Sequence, residues 1–199
     1  SIGEVMSIGR RFEEAIQKAV RMLELGRELT EDAPGPTDPE TLRLELSSPT
    51  DRRLFSIMAA LRTGFSVTEI HEMSGIDPWF LEKLQNISRV DENIRSLRFA
   101  DADFEARLRL AKEMGFSDSR IAGAMGTSPE RIRQIRKHHR ILPVVKQIDT
   151  LAAEYPAKTN YLYLTYSGNR DDISFNTAGQ IFVIGAGPIR IGSSVEFDW

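Results

Sequence analysis

Residues 65–84 read FSVTEIHEMSGIDPWFLEKL, and residues 116–135 read FSDSRIAGAMGTSPERIRQI. The two stretches align without a gap at an offset of 51 positions. Phe65, Ser66, Ile70, Gly75 and Pro78 answer to Phe116, Ser117, Ile121, Gly126 and Pro129, and Leu81 and Leu84 answer to Ile132 and Ile135. Each stretch therefore reads as a helix, a glycine turn, a capped proline start and a second helix. Two such units can pair about a pseudo-twofold and share one core. A generic helical corner that reuses the same caps gives the same pattern. Either origin predicts a compact helical domain.

The same punctuation extends on both sides. Asp38-Pro39, Ser48-Pro49, Asp77-Pro78 and Ser128-Pro129 each pair a capping acceptor with a proline suited to the first helical turn. Gly64, Gly75, Gly115 and Gly126 stand where helices should stop. From residue 38 to about 154 the chain is expected to hold roughly seven or eight short helices and no strand. Upstream, Phe12, Ile16, Ala19 and Leu23 form an apolar stripe at helical spacing, with Arg11, Glu14, Lys18 and Arg21 mostly opposite and Gly26 near the end. The prolines and glycine of residues 31–37 mark a linker. After Pro156, residues 161–166 (YLYLTY) read as extended, and Ile181 to Ile184 as a buried parallel strand running into a glycine turn.

Composition excludes several classes. The chain has 199 residues, 41% hydrophobic and 28% charged, as in a globular protein. With no cysteine, disulfides, thiol nucleophiles and cysteine-based metal sites are out; with three histidines, a histidine-rich metal site is not expected. The formal net charge of −3 disfavours a globally basic nucleic-acid binder. No apolar run is long enough to cross a membrane as a helix, and no signal-peptide pattern opens the chain, so a cytoplasmic setting is expected. The chain starts at Ser1 and stops at Trp199 just after a nucleotide-fold turn begins, which reads as a piece of a longer polypeptide.

Two motifs suggest chemistry or binding. Ser117 to Arg140 has the outline of a helix-turn-helix, and its second helix, residues 129–140, carries Arg131, Arg133, Arg136, Lys137 and Arg140. Residues 120–146 hold seven Lys and Arg against one acid, Glu130. Such a helix suits a major groove, but its twin, starting at Pro78, is not basic, and a basic helix also suits an acidic neighbouring domain. The second motif is Gly185-Ala186-Gly187-Pro188-Ile189-Arg190-Ile191-Gly192-Ser193-Ser194. Glycines after a strand allow close approach to an anion, yet Arg190 replaces the third glycine of the dinucleotide fingerprint, and one strand makes no sheet. His138 and His139 point about 100° apart on a helix and have no third ligand in reach. No carboxylate pair is nominated for acid–base work.

Several stretches together resemble one family. Residues 1–10, SIGEVMSIGR, resemble the S-[TV]-G-E-V-M-x-I-G-R run that closes the first ATP-grasp domain of the carbamoyl phosphate synthetase large subunit, with Ile2 departing mildly. Residues 76–81 (IDPWFL), residues 146–155 (KQIDTLAAEY) and Gly185 through Trp199 resemble further motifs of that family, in the right order. The resemblance implies a mainly α fold: a multi-helix oligomerisation domain, a short extended segment, and one Rossmann-like β-strand and Gly turn at the C-terminus. It implies that residues 1–26 end the first ATP-grasp domain, 27–156 form the helical domain, 157–180 a connector, and 181–199 the start of the second half. The intact enzyme it resembles makes carbamoyl phosphate from bicarbonate, glutamine-derived ammonia and two ATP, for pyrimidine and arginine synthesis. ATP and Mg (or Mn) would be bound by the parent, outside this chain. The implied partners are copies of the chain itself and a glutaminase subunit or domain, not a membrane or nucleic acid. No catalytic, cofactor-binding or metal residue is carried over. Gly192, Ser193, Ser194 and Glu196 fall where the family passes carbamate between sites. Ser193-Ser194 stand where many members have Gln-Gly or Gln-Ala, and a buried turn would need the same small residues.

Overall fold

The computed structural model describes residues 5–31, 38–156 and 161–174, together with Gly179 and Ile181. The segments begin with helix α1 (Phe12–Met22), then α2 (Pro39–Ser47) and α3 (Arg53–Arg62). Helices α4 (Val67–Ser74), α5 (Pro78–Arg95), α6 (Phe104–Glu113), α7 (Asp118–Met125) and α8 (Pro129–His138) follow. Strands β1 (Val144–Gln147) and β2 (Leu162–Thr165) close the described part.

Caps decide most of these boundaries. Asp38 accepts from the Glu40 and Thr41 amides, Asp77 from Trp79, and Ser128 from Arg131. Ser66 and Ser117 cap α4 and α7 in the same way, at Glu69 and Arg120. The fourth proposed start fails. Ser48 is the C-cap of α2, Pro49 lies in the turn beyond it, and α3 begins at Arg53. The turn is closed by Thr50 N–H to the Ser48 carbonyl and Arg53 N–H to the Thr50 carbonyl, so the helix waits for the apolar run at Leu54.

The repeat is longer in space than in sequence. α3 and α6 also end at the same offset, and Gly64 and Gly115 leave them with φ of +96° and +95°. Phe65 and Phe116 then donate back to the Ala60 and Ala111 carbonyls, both at 3.0 Å. Each unit is thus three helices, α3–α4–α5 and α6–α7–α8. Equivalent positions Ile57 and Leu108, Ala60 and Ala111, Ile70 and Ile121, and Leu81 and Ile132 are all buried in one cluster. Each large apolar side chain there contributes about 1.5–3 kcal/mol. The long α5 lies against α1, α3, α4, α6 and α7 and is the central member of this core.

Two expectations are corrected. Residues 144–147, inside the span expected to be helical, form a strand. Pro143 blocks a helix, Val144 and Val145 favour extended backbone, and β2 supplies the partner. The pairing is antiparallel, from Val144 opposite Thr165 to Gln147 opposite Leu162. Asp171 and Asp172 cover the free edge of β1 by accepting from the Val145 and Gln147 amides. In helix α1 the stripe residues Phe12 and Ile16 do pack against the core but are only partly buried, whereas the fully buried residues are Glu13, Glu14, Gln17 and Val20. Glu13 is held by Asn86 Nδ2 and Lys83 of α5, and Glu14 and Gln17 by the partners described below. Phe12 meets Trp79 and Phe80 edge-on at 5.6 and 5.5 Å, and this aromatic triangle is half-exposed. The proposed strand from Ile181 and its glycine turn lie outside the described residues, apart from the exposed Ile181.

Candidate functional site

The chemistry of the molecule concentrates where α1, the turn between α6 and α7, and β2 meet. Helix α6 ends with carbonyls that have no partner within the helix. Amides of the following turn take the Leu110, Ala111 and Lys112 carbonyls, and side chains take the Glu113 carbonyl and those of the turn beyond it. Ser167 Oγ donates to the Glu113 carbonyl, Gln17 Nε2 to Met114, Arg21 Nη1 to Gly115 and Lys112 Nζ to Phe116. This explains why Gln17 is buried: it caps the end of another helix. The approach is close, since a Cβ on Gly115 would stand 2.9 Å from the Glu14 Cα. Gln17 Oε1 is left buried without a partner among the described residues.

Glu14 ties this corner to the strand. Its carboxylate accepts from the Arg10 amide at 2.9 Å, Lys18 Nζ at 2.7 Å and Thr165 Oγ1 at 2.9 Å. Lys18 also donates to the Ile8 and Leu164 carbonyls, and Arg10 Nη1 to the Ser167 carbonyl. The segment entering the helical unit and the segment leaving it are therefore clamped together.

Next to the clamp lies a cleft of about 480 Å³ with a cationic floor. Lys112 and Arg136, only 5% and 7% exposed, share Asp118. Lys112 Nζ donates to it at 2.8 Å, and Arg136 Nε donates to both its oxygens at 3.0 and 2.8 Å. The Tyr166 ring covers both cations, 4.9 Å from Lys112 Nζ and 5.7 Å from the Arg136 guanidinium carbon. Burial pushes the Lys112 amine below the usual lysine range; Asp118 opposes this, and Arg136 and Arg21 add to it. Burial raises the Asp118 carboxyl, but the Lys112 hydrogen bond and charge, with those of Arg136, outweigh it and hold the group below the usual carboxylate range. Arg133 and Lys137 are exposed on the rim.

Sequence reading did not single out Lys112, Asp118 or Tyr166. The signal was present in the repeat. At the same offset the first unit has Leu61, Val67 and Gln85 where the second has Lys112, Asp118 and Arg136.

The basic helix proposed as a DNA reader is α8. Arg131, Arg133, Lys137 and Arg140 are exposed, but Arg136 is turned inward onto Asp118 and is not available to a groove. His138 and His139 stack edge-on at 5.3 Å, and His139 Nδ1 lies 3.2 Å from Glu105. Among the described residues no group of three His, Asp or Glu side chains is placed to hold a metal ion, and no helix is long and apolar enough to cross a membrane. Gly192, Ser193, Ser194 and Glu196 lie outside the described residues.

Comparison with known proteins decides the family. The model for "Carbamoyl-phosphate synthetase large chain, oligomerisation domain" matches residues 4–140. The chain belongs to the carbamoyl-phosphate synthetase large-chain family. Its whole length is 47% identical to part of the multifunctional protein CAD of Squalus acanthias and 47% identical to part of the multifunctional protein URA2 of Saccharomyces cerevisiae. It is 46% identical to part of the mitochondrial carbamoyl-phosphate synthase [ammonia] of Rattus norvegicus. The chain spans 9%, 9% and 13% of those relatives. These relatives give the DNA-binding reading no support. Family membership also accounts for the mainly α architecture, since the matched oligomerisation-domain region contains all eight helices described here.

Proposed function

We propose that the chain is the self-associating connector of a carbamoyl phosphate synthetase large chain and does no chemistry of its own. The parent would make carbamoyl phosphate from bicarbonate, glutamine-derived ammonia and two ATP. ATP, with Mg (or Mn), would be held in ATP-grasp halves outside this chain, and a glutaminase subunit or domain would supply ammonia. Residues 27–156 would be the helical unit between the end of one half (1–26) and the start of the next (181–199), reached through 157–180. Gly192, Ser193, Ser194 and Glu196 would border the carbamate passage. We place the parent in the cytosol, although the rat relative is named as mitochondrial.

The observation that carries this reading is the clamp at Glu14. A connector must hold what enters it and what leaves it in a fixed relation. Arg10, Glu14 and Lys18 on the way in are bonded to Leu164, Thr165 and Ser167 on the way out. Match over the whole chain to about a tenth of much longer relatives supports it. Sedimentation velocity of the chain over a concentration series, with an ATP hydrolysis assay on the same sample, tests it. Concentration-dependent association without hydrolysis is expected. A monomer at every concentration, or hydrolysis above background, would overturn it.

A further inference from the structure

We infer that the cleft floored by Lys112 and Arg136 is a binding site for a small phosphate-class anion, a role that goes beyond the connector function. Asp118 is a single carboxylate shared by two cations that are each more than nine-tenths buried. Arg136 spends only its Nε on Asp118, and its Nη atoms make no hydrogen bond to the described residues. Arg133 and Lys137 on the rim form no ion pair with any described residue, and Glu14, the carboxylate that also lines the cleft, is taken by Lys18, Thr165 and the Arg10 amide. Burying surplus charge is costly unless a counter-charge arrives.

The first unit builds its equivalent, partly buried corner with Leu61, Val67 and Gln85, so the helical corner itself does not require charges there. Rim positions Arg133 and Lys137 likewise answer to Glu82 and Asn86. A buried ionic cluster is weak evidence for stability, because apolar residues fill such a place at least as well. The substitution of four cations into one copy alone points to a ligand. A floor of two buried cations behind an exposed rim suits a compact dianion that accepts several charge-assisted hydrogen bonds, whereas a flat acidic protein surface would reach only the rim.

The test is residue-specific labelling of the polypeptide that carries this chain, with inorganic phosphate as the probe and peptide masses as the readout. Phenylglyoxal labels Arg133 and acetic anhydride labels Lys137; Arg131 and Arg140, exposed on and just beyond the same helix, are internal controls. Phosphate is expected to protect Arg133 and Lys137 with one common half-saturation, and to leave Arg131 and Arg140 unchanged. In R133Q, an exposed change expected to leave the melting temperature unaltered, protection of Lys137 should need about tenfold more phosphate. Equal protection of all four positions, or the same protection by chloride at matched ionic strength, would mean simple screening and overturn the inference. So would Arg133 and Lys137 that are unreactive without phosphate in a longer parent and become reactive only when it is trimmed to this chain. That result would assign the cleft to an acidic segment of the parent.

Discussion

Replacing Gly115 by alanine should cost far more than the same change at Gly64, although both glycines end equivalent helices with φ near +95°. An alanine held at positive φ costs about 1–2 kcal/mol, and this applies to both sites. At Gly64 nothing lies within 4 Å of the added Cβ, so G64A should stop there. At Gly115 the Cβ would stand 2.9 Å from the Glu14 Cα and 3.1 Å from its carbonyl oxygen. Both are backbone atoms of a packed helix and can move only if α1 moves. Overpacking of this kind adds about 1–3 kcal/mol, so G115A should destabilise by about 2–5 kcal/mol. The entropy that alanine removes from the unfolded chain is the same for both variants and cancels in the comparison. Urea denaturation gives the two values, and an unchanged m value confirms that the same transition is being read. Hydrogen exchange should show the extra loss in α1, because lifting it also lengthens the bonds from Gln17 and Arg21 to the Met114 and Gly115 carbonyls. If G115A and G64A cost the same within about 0.5 kcal/mol, α1 is not seated on the end of α6 and the description of the clamp is wrong.

Three other outcomes follow from the same structure. Asp91 is buried and binds Arg120 Nη2 through both oxygens while Arg120 Nε reaches Thr30, so D91N should cost about 3–5 kcal/mol by stranding a buried guanidinium; a loss below about 1 kcal/mol in urea would contradict this. T165V removes the hydroxyl that donates to Glu14 and should cost about 1.5–3 kcal/mol, with faster amide exchange in β2; unchanged exchange would mean the strand is held by something else. Asp118 has a folded pKa below its unfolded value, so its ionised form stabilises the fold above about pH 4 and that contribution fades as pH falls through the lower folded value. The stability gap between the chain and D118N should therefore be constant near neutrality and shrink below about pH 4; a gap that holds or widens in acid would refute the ionised pairing.

Much of the fold could be read from local chemistry because local chemistry decides it. Asp38, Asp77 and Ser128 cap the helices they were expected to cap, and Gly75 and Gly126 end α4 and α7 in the left-handed conformation. Ser48-Pro49 carries the same signal and fails, since a cap is used only where an apolar run follows at once. Strand β1 was not legible because four residues hold too little periodicity, and its existence depends on a partner some fifteen residues away in β2. The buried polar face of α1 was hidden for a related reason. Hydrophobic spacing measures what water rejects, whereas Gln17 and Arg21 go inward to satisfy carbonyls that the sequence does not display. The cleft was missed because Lys112 and Asp118 look like surface residues one at a time. Only the comparison with Leu61 and Val67 in the twin unit marks them as charges in a place that could have been apolar.

We read this chain as the helical connector of a much larger synthetase chain. The mass of the native polypeptide that contains residues 146–155, captured from the source through that segment, decides whether it is. A mass several times the 22.5 kDa of this chain is the predicted result. A native product of about 22.5 kDa would contradict it, because a free-standing protein of that size has no flanking halves to connect.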